Sequence, residues 1–282
     1  MSSSTQDHLA ERVIRPRHGL AAMDFSELWR YRELFWELSW RNVLIRYKQT
    51  MLGITWAVIQ PLLTMLVFTV VFSLFGKLPS QGAPYALLVL AALVPWQFFS
   101  NAMSESSNSL IASQGMITKV YFPRAIIPAS AVLSGMIDFL ISLVLLTGLM
   151  LWYDVPFTLR LLALPIFALL AFLAAFGTGL WLSALNVKYR DVKYVVPFLT
   201  RIGMYATPVG FAVTVVPEKW LFWFYSLNPL VGIVEGFRWC ILGSNFEPMW
   251  VGVINGAGLI ILLLISGAYY FRTTERTFAD VI

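Results

Sequence analysis

Long apolar runs alternate with short polar segments along this chain, and their lengths are typical of membrane crossings. A helix of about 18 or more mainly apolar residues is long enough to cross a hydrocarbon core about 30 Å thick. Six such runs lie at about residues 53–75, 85–102, 125–152, 161–185, 195–213 and 249–271. The pattern therefore predicts an all-α polytopic membrane protein with six transmembrane helices, which form one transmembrane domain with their flanking segments over residues 24–282.

The segment before the first run has the periodicity of an amphipathic helix over residues 24–45. At about 100° per residue, its polar residues share one face and its aromatic residues lie on the opposite arc. The polar set is Ser26, Arg30, Glu33, Glu37 and Arg41, and the apolar set is Phe25, Leu28, Trp29, Phe35, Trp36, Trp40 and Val43. Tryptophan suits the headgroup boundary, so we predict a helix that lies on the membrane interface. Residues 1–23 are polar with mixed charge and predict a flexible cytoplasmic tail.

Two later segments depart from simple crossings. Residues 103–124 are too polar to span a membrane, and we expect a short surface helix there. Between residues 217 and 248, two apolar pieces are each too short to cross, and Asn228–Pro229 separates them. Since proline disfavours helix at the preceding residue, this stretch predicts a re-entrant hairpin of two half-helices before the last span.

Composition and charge agree with a membrane protein and set its orientation. The chain is 59% hydrophobic and only 12% charged, whereas soluble proteins carry about 25% charged residues. With the N-terminus inside, 16 of the 20 basic residues fall on the cytoplasmic side, which predicts cytoplasmic N- and C-termini and a periplasmic hairpin. The net charge of +5 is explained by this bias, and no soluble basic face indicates nucleic-acid binding. The single Cys240 excludes an internal disulfide.

Two features inside the predicted spans suggest specific contacts. Asp138 lies within the third span, where an ionisable group is costly unless it is paired or hydrated. We expect a structural or subunit-contact role, with hydrogen bonds to serines such as Ser134 or Ser142, in preference to a proton relay. Gly177 and Gly179 predict close helix packing in the fourth span.

Five sequence segments, in order, resemble the membrane subunit of polysaccharide ABC exporters, most closely the O-antigen export permeases. They are WRNVLIRYKQTMLGITWAVIQPL, ITKVYFPR, NVKYRD, SLNPLVGIVEGFR and ERTFADVI, and they extend over about residue 24 to the end of the chain. The resemblance implies an ABC-2 type permease of the bacterial inner membrane that moves a polysaccharide linked to undecaprenyl diphosphate. Capsule and teichoic acid permeases share this architecture and are the alternatives within the class.

The resemblance also implies partners. Two permease copies would form a homodimer and join two copies of a separate ATPase, which would hold ATP and Mg²⁺. The sequence itself contains no G-x-x-x-x-G-K-[ST] loop to cradle nucleotide phosphates, so we expect a non-enzymatic subunit without its own cofactor or metal. The amphipathic helix and the second-to-third loop would seat the ATPase, and the hairpin would form a periplasmic gate.

Candidate functional residues fall into four sets, each with a less specific alternative. Cations at a partly dry interface bind phosphate, so the diphosphate candidates are Arg41, Arg46 and Lys48, which positive-inside anchoring would also explain. Aromatic faces suit a sliding glycan, so the path candidates are Phe68, Phe72, Phe75, Trp96, Phe99 and Tyr205, with lipid-facing packing as the alternative. The gate candidates are Trp220, Trp223, Tyr225, Glu235 and Arg238. The ATPase-contact candidates are Arg30, Glu33, Glu37, Glu105, Lys119, Arg124, Arg190 and Asp191.

Two other function classes remain open from the residues alone. An ion-coupled flippase would use Asp138 and the broken hairpin as its coupling site. A membrane-embedded glycan-modifying enzyme would need acid, base or nucleophile groups clustered at one depth, and the predicted spans lack such a cluster.

Overall fold

The computed structural model describes residues 29–48, 53–275 and 277–278, and within these ranges the chain is helical without strands. The predicted tail at residues 1–23 and the start of the amphipathic segment at residues 24–28 lie outside the described residues. The α-helices, in chain order, are α1 (Arg32–Lys48), α2 (Thr55–Thr69), α3 (Tyr85–Ala112), α4 (Gln114–Ile117), α5 (Ile126–Ser134), α6 (Met136–Trp152), α7 (Leu164–Lys188), α8 (Val192–Ala206), α9 (Glu218–Leu227), α10 (Pro229–Leu242) and α11 (Trp250–Glu275).

Five segments of the described chain are long and apolar enough to cross a membrane. They are Thr55–Phe75, Tyr85–Ala112, Ile126–Trp152, Leu159–Lys188 and Trp250–Glu275. The first joins α2 to a π-helical end, Val70–Phe75, and the third is divided at Gly135 between α5 and α6. Each of the five overlaps a predicted span.

Two sequence-based expectations differ from the structure. The predicted fifth span contains only α8, a helix of 15 residues, which is shorter than the roughly 20 residues a crossing needs. Six spans are therefore not confirmed by helix length. The polar stretch after the second span is largely a continuation of α3 to Ala112, followed by the four-residue α4, so the predicted surface helix is wrong. The helix accommodates its serines there because the hydroxyls of Ser107 and Ser109 donate to backbone carbonyls one turn earlier and so are not left unpaired.

Helix α3 is the centre of the bundle. It contacts α2, α5, α6, α7, α8 and α10. Every side chain from residue 87 to residue 94 is at most 1% exposed, and all are apolar. A helix that is apolar all round is stable when other helices surround it on every side. The first, third and fourth spans therefore pack around α3, and the last span, α11, packs against α7.

Glycine lets α7 approach its two neighbours closely, as predicted. A Cβ added at Gly177 would lie 3.0 Å from the Leu264 backbone in α11, and one at Gly267 would lie 2.6 Å from the Gly177 carbonyl oxygen. A Cβ at Gly179 would lie 2.4 Å from the Ser106 hydroxyl in α3. Both predicted close contacts are confirmed, and backbone contact of this kind is how membrane helices pack tightly without bulky side chains.

One end of the bundle gathers the segments predicted to be cytoplasmic. A cluster of buried residues joins the end of α3, the second-to-third loop, the end of α7 and the end of the chain: Leu110, Ile117, Phe122, Leu180, Val187, Phe271 and Phe278. Tyr31, just before α1, and Leu34, in its first turn, pack against it. Arg124 also binds the end of α11, since its backbone N–H donates to Glu275 Oε1 at 3.0 Å and its guanidinium donates to the Glu275 carbonyl. These segments therefore share one end of the molecule.

The residues around Asn228 separate α9 from α10. The Asn228 side chain accepts a hydrogen bond from the Leu230 N–H at 3.1 Å and so caps α10, with Pro229 at its first position. The same side chain donates to the Ala206 carbonyl and the Thr207 hydroxyl at the end of α8. The break therefore has a physical cause, and it lies against the point where α8 stops.

Candidate functional site

Three ionisable side chains from three helices meet near the end of the bundle described above. Arg46, in the last turn of α1, forms ion pairs with Glu105 of α3 and Asp138 of α6. The Tyr47 hydroxyl also donates to Asp138. We call Arg46, Glu105 and Asp138 the charged triad; it carries one positive and two negative charges. Since the guanidinium is planar with several donors, one arginine can bind both carboxylates at once.

Asp138 therefore has different partners from those predicted. It accepts hydrogen bonds from Arg46 and Tyr47 of α1, and not from a neighbouring serine. Ser134 donates to the Ala131 carbonyl at 2.8 Å, as serines in helices commonly do. The expectation of a serine partner is wrong. Arg46 is distant from Asp138 in the sequence but adjacent in the fold, and a cation neutralises a carboxylate far better than a hydroxyl can.

Arg46 and Tyr47, the two residues of α1 that bind Asp138, are held in their protonated forms. Burial opposes the charge on Arg46, but the combined attraction of Glu105 and Asp138 outweighs it, so the pKa of Arg46 is raised. Burial also raises the pKa of Tyr47, and its hydrogen bond to Asp138 acts in the same direction. Both side chains therefore act as hydrogen-bond donors at physiological pH.

A cavity of about 600 Å³ lies beside the charged triad. Its walls come from the end of α1, the start of α2, the second half of α3 and the start of α6. Beyond the charged triad, its polar lining includes Gln60, Gln97, Asn101 and Ser142. Trp56, Phe98 and Phe139 add aromatic rings. The volume lies within the range of about 300–1,000 Å³ found for small-molecule pockets, so this cavity is the candidate binding site.

The three predicted diphosphate residues lie in two different environments. Arg46 is half-buried and paired with two carboxylates, whereas Arg41 and Lys48 are exposed. Arg41 and Lys48 are seven residues apart on α1, which returns them to one side of the helix after about two turns. The positive charge that remains available to a ligand is therefore that of Arg41 and Lys48.

A second charged cluster is fully buried in α10. Arg238 pairs with Glu235 at 2.7 Å and is 0% exposed. Its guanidinium also donates to the carbonyls of Leu88, Val209 and Phe211 at 3.2, 3.1 and 3.0 Å. The last two belong to the irregular segment 207–212 after α8, and Tyr85 donates to a third carbonyl there, that of Gly210, at 2.7 Å. Irregular backbone inside a membrane protein needs such donors, because no water is there to replace them.

The other predicted gate residues divide into two groups. Trp220 and Trp223 of α9 are more than half exposed. Tyr225, on the opposite side of the same helix, is 1% exposed and packs against Gly252 of α11. Helix α9 is therefore attached to α11 by one face and presents a tryptophan face outward.

Burial also separates the predicted path aromatics. Phe68, Trp96 and Phe99 are buried inside this chain, and Phe72 is half-buried. Gly210 lies against Phe68 and Phe72, and Gly203 lies against Trp96, so these rings fill space between helices. Phe75 and Tyr205 are 81% and 62% exposed. Of the six candidates, these two have rings mainly exposed to the surroundings of the protein.

The predicted ATPase-contact residues are mostly exposed. Six of them project from the protein surface: Arg30, Glu33, Glu37, Lys119, Arg190 and Asp191. The other two are engaged within the chain, since Glu105 belongs to the charged triad and Arg124 binds the end of α11. Arg30, Glu33, Glu37 and Lys119 lie on segments that share one end of the molecule.

Several polar residues of the site are absent from the sequence-based candidates. Gln97 and Asn101 follow one another by one turn on α3, and Gln60 faces the same cavity from α2. A glutamine or asparagine within an apolar run is a detectable signal, because an unpaired amide in hydrocarbon is costly. Tyr47 had no such signal, since tyrosine is ordinary at a membrane interface.

Within the described residues, no group of three or more His, Cys, Asp or Glu side chains could hold a metal ion.

Comparisons with known proteins match this chain to one family of transporters. The profile of the ABC-2 type transporter family matches residues 33–242. An O-antigen export system permease protein, RfbA, of Klebsiella pneumoniae is 28% identical over 243 residues, covering 86% of this chain and 92% of the relative. The Myxococcus xanthus protein of that name is 27% identical over 257 residues, covering 91% and 98%. The polysialic acid transport protein KpsM of Escherichia coli is 24% identical over 243 residues, covering 84% and 91%.

Proposed function

Because this chain belongs to the ABC-2 type transporter family, we propose that it is the permease subunit of an ATP-driven exporter of lipid-linked polysaccharide. The observation that carries the proposal is the family match from α1 through α10, which includes the charged triad, its cavity and the buried Arg238. Relatives with the same extent are named for O-antigen and polysialic acid transport. The coarser conclusion, a permease of polysaccharide export systems, follows directly from these matches.

For the substrate we propose an O-antigen polysaccharide on undecaprenyl diphosphate, exported across the bacterial inner membrane. Relatives named as O-antigen permeases reach 28% identity, against 24% for the polysialic acid transport protein. Capsular polysaccharide and teichoic acid are the alternative cargoes of the same class. The diphosphate would bind Arg41 and Lys48, because the charge of Arg46 is already balanced by two carboxylates.

The proposed membrane topology has six crossings with both termini in the cytoplasm. Helix α8 would complete a crossing together with the irregular segment 207–216, whose carbonyls Arg238 and Tyr85 satisfy. Helices α9 and α10 would form a re-entrant hairpin at the periplasmic face. Asn228 lies against the end of α8, whereas Gly243, after α10, lies beside Arg160 near the start of α7. The two helices would thus enter the membrane and return to the same side, with Trp220 and Trp223 at the gate.

A homodimer with two ATPase copies is the proposed assembly. A path for a long glycan would form between two permeases, where the exposed rings of Phe75 and Tyr205 are available to line it. The ATPase would bind the end of the bundle that carries α1 and the second-to-third loop, including Glu33, Glu37 and Lys119. The ATP and Mg²⁺ would belong to that partner, since this sequence has no phosphate-binding loop of the G-x-x-x-x-G-K-[ST] type.

Deletion and complementation test the proposal. Cells that lack this permease should accumulate polyprenyl diphosphate-linked glycan in the inner leaflet and lose surface polysaccharide. The chain should restore export only together with a nucleotide-hydrolysing partner, and a partner variant unable to hydrolyse ATP should not support it. Export that continues without ATP hydrolysis and follows a proton gradient would instead favour an ion-coupled flippase. In the structure, however, Asp138 is already paired with Arg46 and Tyr47.

A further inference from the structure

The cavity beside the charged triad offers no available cation to a diphosphate. Among its described lining residues the one cation is Arg46, which is already paired with Glu105 and Asp138. Since like charges repel more strongly in a partly dry site than in water, a phosphate group would be disfavoured inside it. The exposed cations Arg41 and Lys48 lie outside the lining. The cavity therefore favours a ligand that carries no negative charge.

Three side-chain amides line the same cavity. In the part of the chain that the structure describes, those of Gln60, Gln97 and Asn101 make no hydrogen bond to other side chains or to the backbone. Each amide offers donors and an acceptor, and the carboxylates add further acceptors. Gln60 and Asn101 are exposed and Gln97 is half-buried, so a ligand in the cavity can reach all three amides, and their donors and acceptors match those of sugar hydroxyl groups.

Aromatic side chains supply the apolar part of the same cavity. Phe98 and Phe139 pack together with ring centroids 5.3 Å apart, and Trp56 lies on the α2 side. Trp56 is 52% exposed, so the cavity is open at that wall. The lining on α3 runs from Val94 to Glu105, about 16 Å along a helix axis. The cavity thus has the depth and the mixed lining for a ring with one apolar face and several hydroxyls.

We propose that this cavity is a sugar subsite, which takes neutral pyranose rings of the glycan next to the lipid diphosphate. The proposal rests on the proposed function and names a part of the substrate that it binds. The amides and carboxylates bind sugar hydroxyls, the exposed ring of Trp56 contacts a C–H face, and Arg46 fixes both carboxylates in position. Arg41 and Lys48 hold the diphosphate outside. Recognition of the glycan and of its lipid carrier is therefore divided between two adjacent places.

Thiol labelling within the cavity tests the proposal with a weakly binding probe. The reporter is Ala57→Cys, a small change at a half-buried cavity residue, in a Cys240→Ala background that removes the native thiol. The matched control is Ala112→Cys, exposed at the end of α3 and outside the cavity lining. The permease–ATPase complex is reconstituted in phosphatidylcholine nanodiscs. The probe is the lipid-free oligosaccharide released by mild acid from the polyprenyl diphosphate-linked glycan of the host.

The oligosaccharide should slow labelling at position 57 several-fold and leave position 112 unchanged, while inorganic diphosphate should slow neither. Gln97→Leu and Asn101→Leu should each raise the oligosaccharide concentration that gives half-maximal protection by about tenfold. That is the loss of affinity expected when one polar contact is not made. Ser142→Cys, nearly isosteric and also in the lining, serves as a second reporter if Ala57→Cys does not assemble.

Two outcomes would overturn the sugar subsite while leaving the proposed function in place. One is an export-competent complex in which oligosaccharide gives no protection at position 57 or 142. The other is protection by inorganic diphosphate or by added phosphatidylethanolamine, which would assign the cavity to an anion or a lipid headgroup. Failure of the proposed function gives a different result, since the wild-type complex would then restore no glycan export in cells.

Discussion

At the scale of single residues, Arg238 shows how a buried charge can stabilise an irregular backbone. Its guanidinium satisfies three carbonyls and balances Glu235, so removing it leaves an unpaired carboxylate and three unbonded acceptors. We expect Arg238→Met to lower the free energy of unfolding by about 3–5 kcal/mol, the usual cost of breaking a buried ion pair. Thermal unfolding in detergent, followed by circular dichroism, measures the loss.

The matched double variant Arg238→Met/Glu235→Leu separates the two contributions. It removes both charges, so its unfolding temperature should lie above that of Arg238→Met and below that of the wild type. A double variant less stable than Arg238→Met would show that the pair contributes little and that Glu235 has other essential contacts.

The charged triad supports a second prediction at the residue scale. Arg46→Gln leaves Glu105 and Asp138 without their shared cation, and we expect loss of export together with lower thermal stability. Asp138→Asn in the same chain removes one of the two negative charges and should restore part of the stability. If Arg46→Gln and the double variant Arg46→Gln/Asp138→Asn were equally unstable, the charge explanation would be contradicted. Arg46→Lys should retain only part of the wild-type export activity, because an ammonium lacks the planar fork that binds two carboxylates.

Neither residue-scale cluster could be assembled from the sequence. Asp138 was expected to be costly and paired, but its partner Arg46 lies 92 residues away, just after the segment predicted to rest on the membrane surface. Arg238 and Glu235 are visible as a neighbouring pair in the sequence, but the bonds to residues 88, 209 and 211 depend on backbone that is not helical. Hydropathy gives the position of a charge in a span and not the direction of its side chain.

At the scale of helices, glycine contacts between α7 and α11 set how closely two spans pack. We expect Gly267→Ala to destabilise the protein, because the added Cβ would lie 2.6 Å from the Gly177 carbonyl oxygen. Gly258→Ala, in the same helix, meets nothing within 4 Å and should be neutral or stabilising by up to about 1 kcal/mol through helix propensity. Unfolding temperatures of the two variants, measured side by side, give the comparison. Equal destabilisation by both would mean that the α7–α11 contact does not limit stability.

Helix positions were largely predictable, and helix surroundings were not. Apolar runs indicated the five long helices because backbone groups in lipid must bond within their own segment. The same apolar residues suit lipid tails and a protein interior equally well, so the pattern could not identify α3 as the central helix. Phe68, Trp96 and Phe99 were placed among the glycan-path candidates because of their aromatic faces, and hydropathy did not indicate that they are buried between helices. Gly177 and Gly179 were more informative, since closely spaced small residues in a span favour contact with another helix over contact with lipid.

At the scale of the whole molecule, the charge distribution and the packing together predict one orientation in the membrane. Lys119 and Arg124 lie on the loop that packs with α1 and with the ends of α7 and α11. Lys77 and Arg160 lie at the opposite ends of their spans, the former just after Phe75 and the latter in the first turn of the span Leu159–Lys188. Because the cytoplasmic side carries the excess of lysine and arginine, the end with α1 should face the cytoplasm.

Cysteine labelling from each side of the membrane measures this orientation directly. In a Cys240→Ala chain, Lys119→Cys and Lys77→Cys place one thiol at each end, and both positions are exposed from the protein. A membrane-impermeant maleimide should label position 77 in intact spheroplasts and position 119 only in inside-out vesicles, since each thiol is reached from one side alone. Labelling of position 119 in intact spheroplasts would invert the molecule. It would move α1 and the exposed cations Arg41 and Lys48 to the periplasm, where neither a cytoplasmic ATPase nor a lipid carrier loaded in the inner leaflet could reach them.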